Sequence, residues 1–279
     1  MRVVVSAWFL HSRLAIHDSR YIYRQIYYLL KEIIIAIQSY FDAHNFIQKH
    51  KLWKWILIPG IIYMLLFAVG IYYFWISTGN AVSWLSDKTG LIPWLQKQRN
   101  EFLSFLFVMI GIMLRLVLTF FYFSLFKYLF LIIGSPVFAY LSEKTASIIE
   151  GKDFPFSFSQ LMKDAWRGSK LAFRNSIWQA VYLLLLFFLS FVPLVGWITP
   201  LIALFTECYY YGFSMMDYSC ERNQMSPSQS IDFIGRHRGL AIGNGLMFYL
   251  MHGLILVGWI AAPAYAVVAA TLSLHQIKK

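Results

Sequence analysis

The sequence predicts an all-α integral membrane protein: two long transmembrane helices, two apolar helical hairpins that span or partly penetrate the bilayer, and interfacial amphipathic helices. Three observations predict this class. Apolar residues make up 59% of the chain and charged residues 13%, against about 45–50% and about 25% in soluble domains. Several apolar runs approach or exceed the roughly 20 residues that cross a bilayer. These runs do not alternate apolar with polar residues, as the strands of a membrane barrel do, so the spans are helices.

In chain order, residues 1–20 carry Arg2, His11, Arg13, His17, Asp18 and Arg20 around a short apolar patch. That patch is too short and too interrupted for a secretory core, and the segment is set apart as a poorly defined N-terminal tail. Residues 21–279 form a single membrane domain. From Arg20 to Phe46 the spacing of Ile26, Leu30, Ile33, Ile37 and Phe41 predicts an amphipathic helix, lying in the interface or against the bundle. The first span is predicted at 55–77, with Pro59 kinking or breaking it, followed by a polar surface segment to Glu101. The next apolar stretch, 102–141, is about 60 Å long as one helix, twice the hydrocarbon thickness of about 30 Å. It either runs beyond the bilayer or breaks at Gly134-Ser135-Pro136. Ser157 and Ser159 are candidate caps for an interfacial helix rich in Lys and Arg, and Ser226-Pro227 starts a short helix.

The hairpins occupy about 177–217 and 239–274. Proline and glycine in close succession bend the first at Pro193, Gly196 and Pro200, and the second at Gly258 and Pro263. Leu194-Val195-Gly196-Trp197-Ile198 is echoed by Leu256-Val257-Gly258-Trp259-Ile260. Each copy follows a basic stretch, which reads as a duplicated membrane element of the kind transporters carry.

A net charge of +11 raises nucleic acid as a partner in a soluble protein. Here the Lys and Arg cluster between apolar runs, as loops at a lipid surface require, and nucleic acid is excluded. The hairpin tips hold none of them, which puts both termini in the cytoplasm by the positive-inside rule. Cys208 and Cys220 have no metal-ligand spacing, and the seven His residues include no paired motif. With no nucleophile–base pair and no phosphate loop either, the sequence predicts neither an enzyme nor a cofactor. Three charges fall inside apolar stretches: Arg115, Lys127 and Glu207. Each needs a partner, a wet cavity or a route to the interface; Glu207 either pairs with Arg115 or Lys127 or relays a proton.

Several motifs in order carry a resemblance. They are Ile58-Pro59, Gly134-Ser135-Pro136-Val137-Phe138 with Leu141-Ser142-Glu143 and Gly151, Phe191-Val192-Pro193-Leu194-Val195-Gly196, Asp217-Tyr218, Arg236-His237-Arg238, and Pro263 with Ala269-Ala270-Thr271. From about 30 to 275 the chain resembles the CysZ sulfate-transporter family, grouped with etoposide-induced protein 2.4. The resemblance implies an oligomeric inner-membrane protein with two long helices and two partly penetrating hairpins, active in sulfate uptake. It also implies an anion site just before the first span, where the family has a Gly-hydrophobic-Arg-Arg segment. Here Lys51 stands at the glycine, Trp53 at the first arginine and Lys54 at the second. Lysine offers a point charge where arginine offers a bidentate fork. Lys51 and Lys54 still precede a helix N-terminus, which favours anions. Glu143 matches the family's acidic residue after the break and is expected either to hold a base such as Lys54 or to sit solvated. Arg236 and Arg238 are expected at lipid headgroups. The reading is an oligomeric permease or channel for sulfate or a related oxyanion; the alternative is a non-transporting membrane scaffold of the same family.

Overall fold

The computed structural model describes residues 2–90, 101–152, 157–190, 192, 194–254 and 256–277; the side chains of residues 2–22, of Leu161 and of part of the stretch 81–127 lie outside that description. Among the described residues there are eight α-helices, one short 3-10 turn and no strand. The helices are α1 (Arg2–Lys49), α2 (Trp53–Thr89), α3 (Glu101–Glu150), α4 (Phe158–Leu189), α5 (Thr199–Arg222), α6 (Pro227–Arg236), α7 (Arg238–His252) and α8 (Val257–Ile277). Trp53–Asn80, α4 and α8 are each long and apolar enough to cross a membrane.

Of the outcomes expected at the prolines, the long helices take continuation and not a break. α2 runs unbroken through Pro59 and absorbs half of the expected surface segment, reaching Thr89. α3 contains Pro136 within 50 residues, about 75 Å of helix. Proline at 136 removes the N–H that would serve the carbonyl of Ile132. The Ser135 hydroxyl donates to that same carbonyl at 2.8 Å, so the helix continues with its backbone satisfied. α4 starts as expected, with the Ser157 hydroxyl accepting from the Gln160 amide. α6 is opened by a reciprocal capping box between Ser226 and Gln229.

Glycines sit at the closest helix contacts, and the core around them buries large side chains such as Phe67, Phe138, Tyr211 and Phe213. α5 and α7 cross where Gly212 meets the carbonyl of Ala241 and Gly245 meets that of Cys208; a Cβ on either glycine would lie 1.9 Å from the oxygen. The stripe Ile26, Leu30, Ile33, Ile37 and Phe41 is not the packed face of α1: Ile26, Leu30 and Phe41 are exposed. Instead Ala36, Tyr40, Ala43 and Ile47 are buried, because Ala36 fits against Gly243 of α7. α8 is the central post, in contact with α1, α2, α3, α5 and α7 and buried from Ala262 to Thr271.

Both hairpin turns share one geometry. Leu194 and Leu256 have φ of +69° and +68°. The amide of Gly196 donates to Val192 and that of Gly258 to Leu254, each at 2.8 Å. A Cβ on Gly196 would lie 2.2 Å from the carbonyl of Ser190, and one on Gly258 1.8 Å from that of Met251. Pro200 sits in the first turn of α5, where its missing N–H costs nothing. Pro263 lies inside α8, six residues past its start, rather than at the turn. Pro193 falls outside the described residues.

The second hairpin meets α2 partway along that helix. Tyr63 donates to or accepts from His252 at 2.8 Å, and the Phe67 and Trp259 rings lie 4.8 Å apart. These contacts stand about 15 and 21 Å from the start of α2, which continues to Thr89. α7, at 15 residues, is about 22 Å long, short of the hydrocarbon thickness.

Candidate functional site

The corner between α1 and α2 is built by a Schellman turn. The amide of Leu52 donates to Ile47 at 3.1 Å and that of Lys51 to Gln48 at 3.3 Å, while Ile47 and Leu52 are buried together. Lys51 carries the positive φ of that turn, +53°, a conformation glycine adopts without strain. Its side chain is exposed, as is that of Lys54 in the first turn of α2, where no acid is present. Trp55 packs on Tyr140 at 4.4 Å between ring centres, tying this corner to α3 one turn before Glu143. Glu143 is half-buried and makes no ion pair among the described residues. Burial and the Asp164 carboxylate push its carboxyl up, and Arg222 opposes them.

The arginines before α7 stand apart from that corner. Arg236 pairs with Asp232 on an exposed face. Arg238 donates from Nε to the carbonyl of Gly235 at 2.9 Å. Among the described residues no hydrogen bond or ion pair joins Lys51 or Lys54 to Glu143, Arg236 or Arg238.

The structure adds a buried charged cluster that the sequence reading passed over. Arg167 of α4 donates to Asp217 of α5 at 3.3 Å and to Ser230 of α6 at 2.6 Å. Its second terminal nitrogen lies 3.2 Å from Glu221. Asp217 Oδ2 and Arg167 Nε are buried without hydrogen-bond partners. Burial is the main force that pushes Glu221 up to about 8, with help from Asp217 and Asp164 and against Arg167. The available signal was Asp217 and Glu221 at i and i+4 where an apolar helix turns polar, one face offering two carboxylates to a single cation. Beside this cluster Glu150 and Arg222 pair at 2.6 Å. Across the bundle Glu32 of α1 accepts from His237 at 2.6 Å and from the amide of Gly239 at 3.0 Å, so a carboxylate caps the N-terminus of α7.

Deeper in the bundle, Glu207 is 5% exposed and accepts from the Tyr249 hydroxyl at 2.7 Å. Nearby Tyr128 donates to Gln179, so α3, α4, α5 and α7 all bring polar groups inside. The side chains of Arg115 and Lys127 lie outside the described residues, as does their expected pairing with Glu207. Ser142, Ser219 and Thr271 close a triangle of hydroxyls with edges of 3.2, 3.1 and 2.9 Å where α3, α5 and α8 meet.

Two long helices, two hairpins with matching turns and three helices long and apolar enough to cross a membrane define a helical membrane protein. The family described as Sulfate transporter CysZ/Etoposide-induced protein 2.4 matches residues 39–263, and the chain belongs to that family. It is 30% identical over 234 residues to a protein named Sulfate transporter CysZ from Pseudomonas paraeruginosa strain PA7, covering 83% of this chain and 90% of the relative. Its identity to the protein of that name from Pseudomonas aeruginosa LESB58 is 29% over the same shares. With that from Pseudomonas fluorescens Pf0-1 it shares 26% over 221 residues, 78% of this chain and 83% of the relative.

Proposed function

We propose that this protein is an inner-membrane permease for sulfate or a related oxyanion. The observation that carries this reading is the match along nearly the whole length of proteins named Sulfate transporter CysZ. The corner at Lys51 supports a place for the anion. Two exposed lysines flank a helix N-terminus with no acid in its first turn, and such an end carries unpaired N–H groups and a positive dipole. Lys51 occupies a left-handed position where the resembled motif has glycine, so backbone freedom is exchanged for a second positive charge. We place the basic ends and both termini in the cytoplasm and read the assembly as a homo-oligomer.

The test is uptake of radiolabelled sulfate into liposomes by the purified protein, beside the Lys51→Ala/Lys54→Ala double variant. Removing two charge-assisted contacts is expected to cut the initial rate at low sulfate by at least about tenfold, with the variant still folded by circular dichroism. Uptake at the background rate by a folded wild type, with sulfate and with thiosulfate, would overturn the reading and favour a membrane scaffold.

A further inference from the structure

A cavity of about 390 Å3 opens between α4, α5 and α7, away from the Lys51 corner. Ile202, Phe205 and Ile242 form its apolar wall; Tyr209 and Arg238 lie at its polar part; none of its lining side chains is acidic. Ile202 and Phe205 are each 43% exposed on the outer face of the first hairpin, so the cavity opens where α5 faces lipid. Arg238 is aimed by the bond from its Nε to Gly235. Its two terminal nitrogens have no protein partner among the described residues. Arg238 is the charged side chain of this lining.

We propose that this cavity binds an anionic phospholipid, with the headgroup phosphate on Arg238 and the first part of an acyl chain along Ile202, Phe205 and Ile242. A guanidinium with two free donors matches a phosphate bidentately. Basic pockets between membrane helices on the cytoplasmic side are recognised sites for such headgroups. Volume and wall chemistry separate this ligand from a free oxyanion. At about 30 Å3 per water the cavity has room for roughly a dozen waters, far more than a five-atom oxyanion fills, and an isoleucine and phenylalanine wall offers a sulfate nothing. The bound lipid joins the first hairpin to α7. The proposal is independent of the transport reading, because it concerns lipid stabilisation and not flux.

The experiment measures thermal unfolding of the full-length protein in neutral detergent with added phosphatidylglycerol, phosphatidylcholine or sodium sulfate. Four proteins are compared: wild type, Arg238→Gln, Thr206→Phe to fill the cavity, and Lys163→Gln as a charge-matched control. Phosphatidylglycerol is expected to stabilise wild type and Lys163→Gln more than phosphatidylcholine does. Arg238→Gln should weaken the phosphatidylglycerol response about tenfold in apparent affinity, and Thr206→Phe should do the same. Equal responses to the two lipids, or an undiminished preference in Arg238→Gln, overturns the proposal. Loss in Arg238→Gln with full retention in Thr206→Phe assigns the effect to surface charge and also overturns it. An Arg238-dependent shift with sulfate alone makes the cavity a free-oxyanion site instead.

Discussion

The two hairpins carry the same five-residue turn sequence, yet their tips meet opposite surroundings. In the second, Trp259 is half-buried and packs on Phe67, with His252 held by Tyr63 beside it. In the first, Trp197 is 88% exposed and Leu194 82%. The first hairpin also stands taller. From the level where Glu207 meets Tyr249, α5 runs on about 12 Å to Thr199 while α7 ends within about 5 Å. Sequence therefore dictates the turn, through a left-handed leucine and a glycine that must approach backbone. The presence of a neighbour dictates burial. The first tip leaves its tryptophan to lipid or to a second copy, whereas the second turns its tryptophan onto α2 while Leu254, Leu256 and Val257 stay exposed.

The sharpest way to break this comparison is to truncate both tryptophans. Trp259→Ala is expected to cost about 3–5 kcal/mol, since it empties an aromatic contact at the hairpin joint. Trp197→Ala in detergent should stay within about 0.5 kcal/mol. Urea or thermal unfolding in the same micelle measures both. Equal costs would mean that the first tip is packed after all, by another copy of the chain.

The feet of the hairpins differ as well. The first is pinned by Arg167, Asp217, Glu221 and Ser230; the second is capped by Glu32, which accepts from His237 and from the amide of Gly239. The first foot holds a buried carboxyl whose protonation should make it respond to pH. Glu221 is raised from 4.5 to about 8, so between those values the folded state holds more protons than the unfolded state. Stability should then fall as pH rises from about 5 towards 8. Glu221→Gln should match wild type near pH 5 and become progressively the more stable protein as pH approaches 8. Melting curves at pH 5, 6, 7 and 8 decide it; parallel curves for the two proteins would remove the buried carboxyl as the cause.

Much of this architecture was legible in the chain. The apolar runs located the hairpins, and the Leu-Val-Gly-Trp-Ile echo marked turns that share φ to within a degree. At the prolines and at the apolar stripe of α1 the sequence left alternatives open, and local geometry decides between them. Pro136 did not end α3, because Ser135 replaces the lost donor, a local compensation that needs the side-chain geometry to be seen. Ile26, Leu30 and Phe41 of the α1 stripe face out, while Ala36, Tyr40, Ala43 and Ile47 pack inward, with Ala36 against Gly243. Lys51 and Lys54 were placed before α2 by position, but that Arg236 and Arg238 pair with Asp232 and Gly235 was not legible, since helix order alone does not give side-chain partners. The Arg167 cluster was missed for the same reason: its members come from three helices, and only packing shows that one guanidinium serves them all.

The smallest expected effect tests the turn itself. Leu194 and Leu256 hold positive φ, which costs an L-residue about 1–2 kcal/mol. Glycine removes that strain but adds about 0.5–1 kcal/mol of chain entropy in the unfolded state. Leu194→Gly and Leu256→Gly should therefore each stabilise the protein in detergent by up to about 1 kcal/mol, and by similar amounts, because the two backbones match. Unfolding measured again in liposomes sharpens the comparison. Leu256 is less exposed, at 57% against 82% for Leu194, so more of its gain should persist there. Leu194 projects outward at the taller tip, so the gain should shrink or reverse where lipid or a second copy takes up its side chain. If both variants gain equally in the bilayer, the first tip makes no use of its exposed leucine, and the difference between the hairpins is confined to Trp259 and the surface of α2 that receives it.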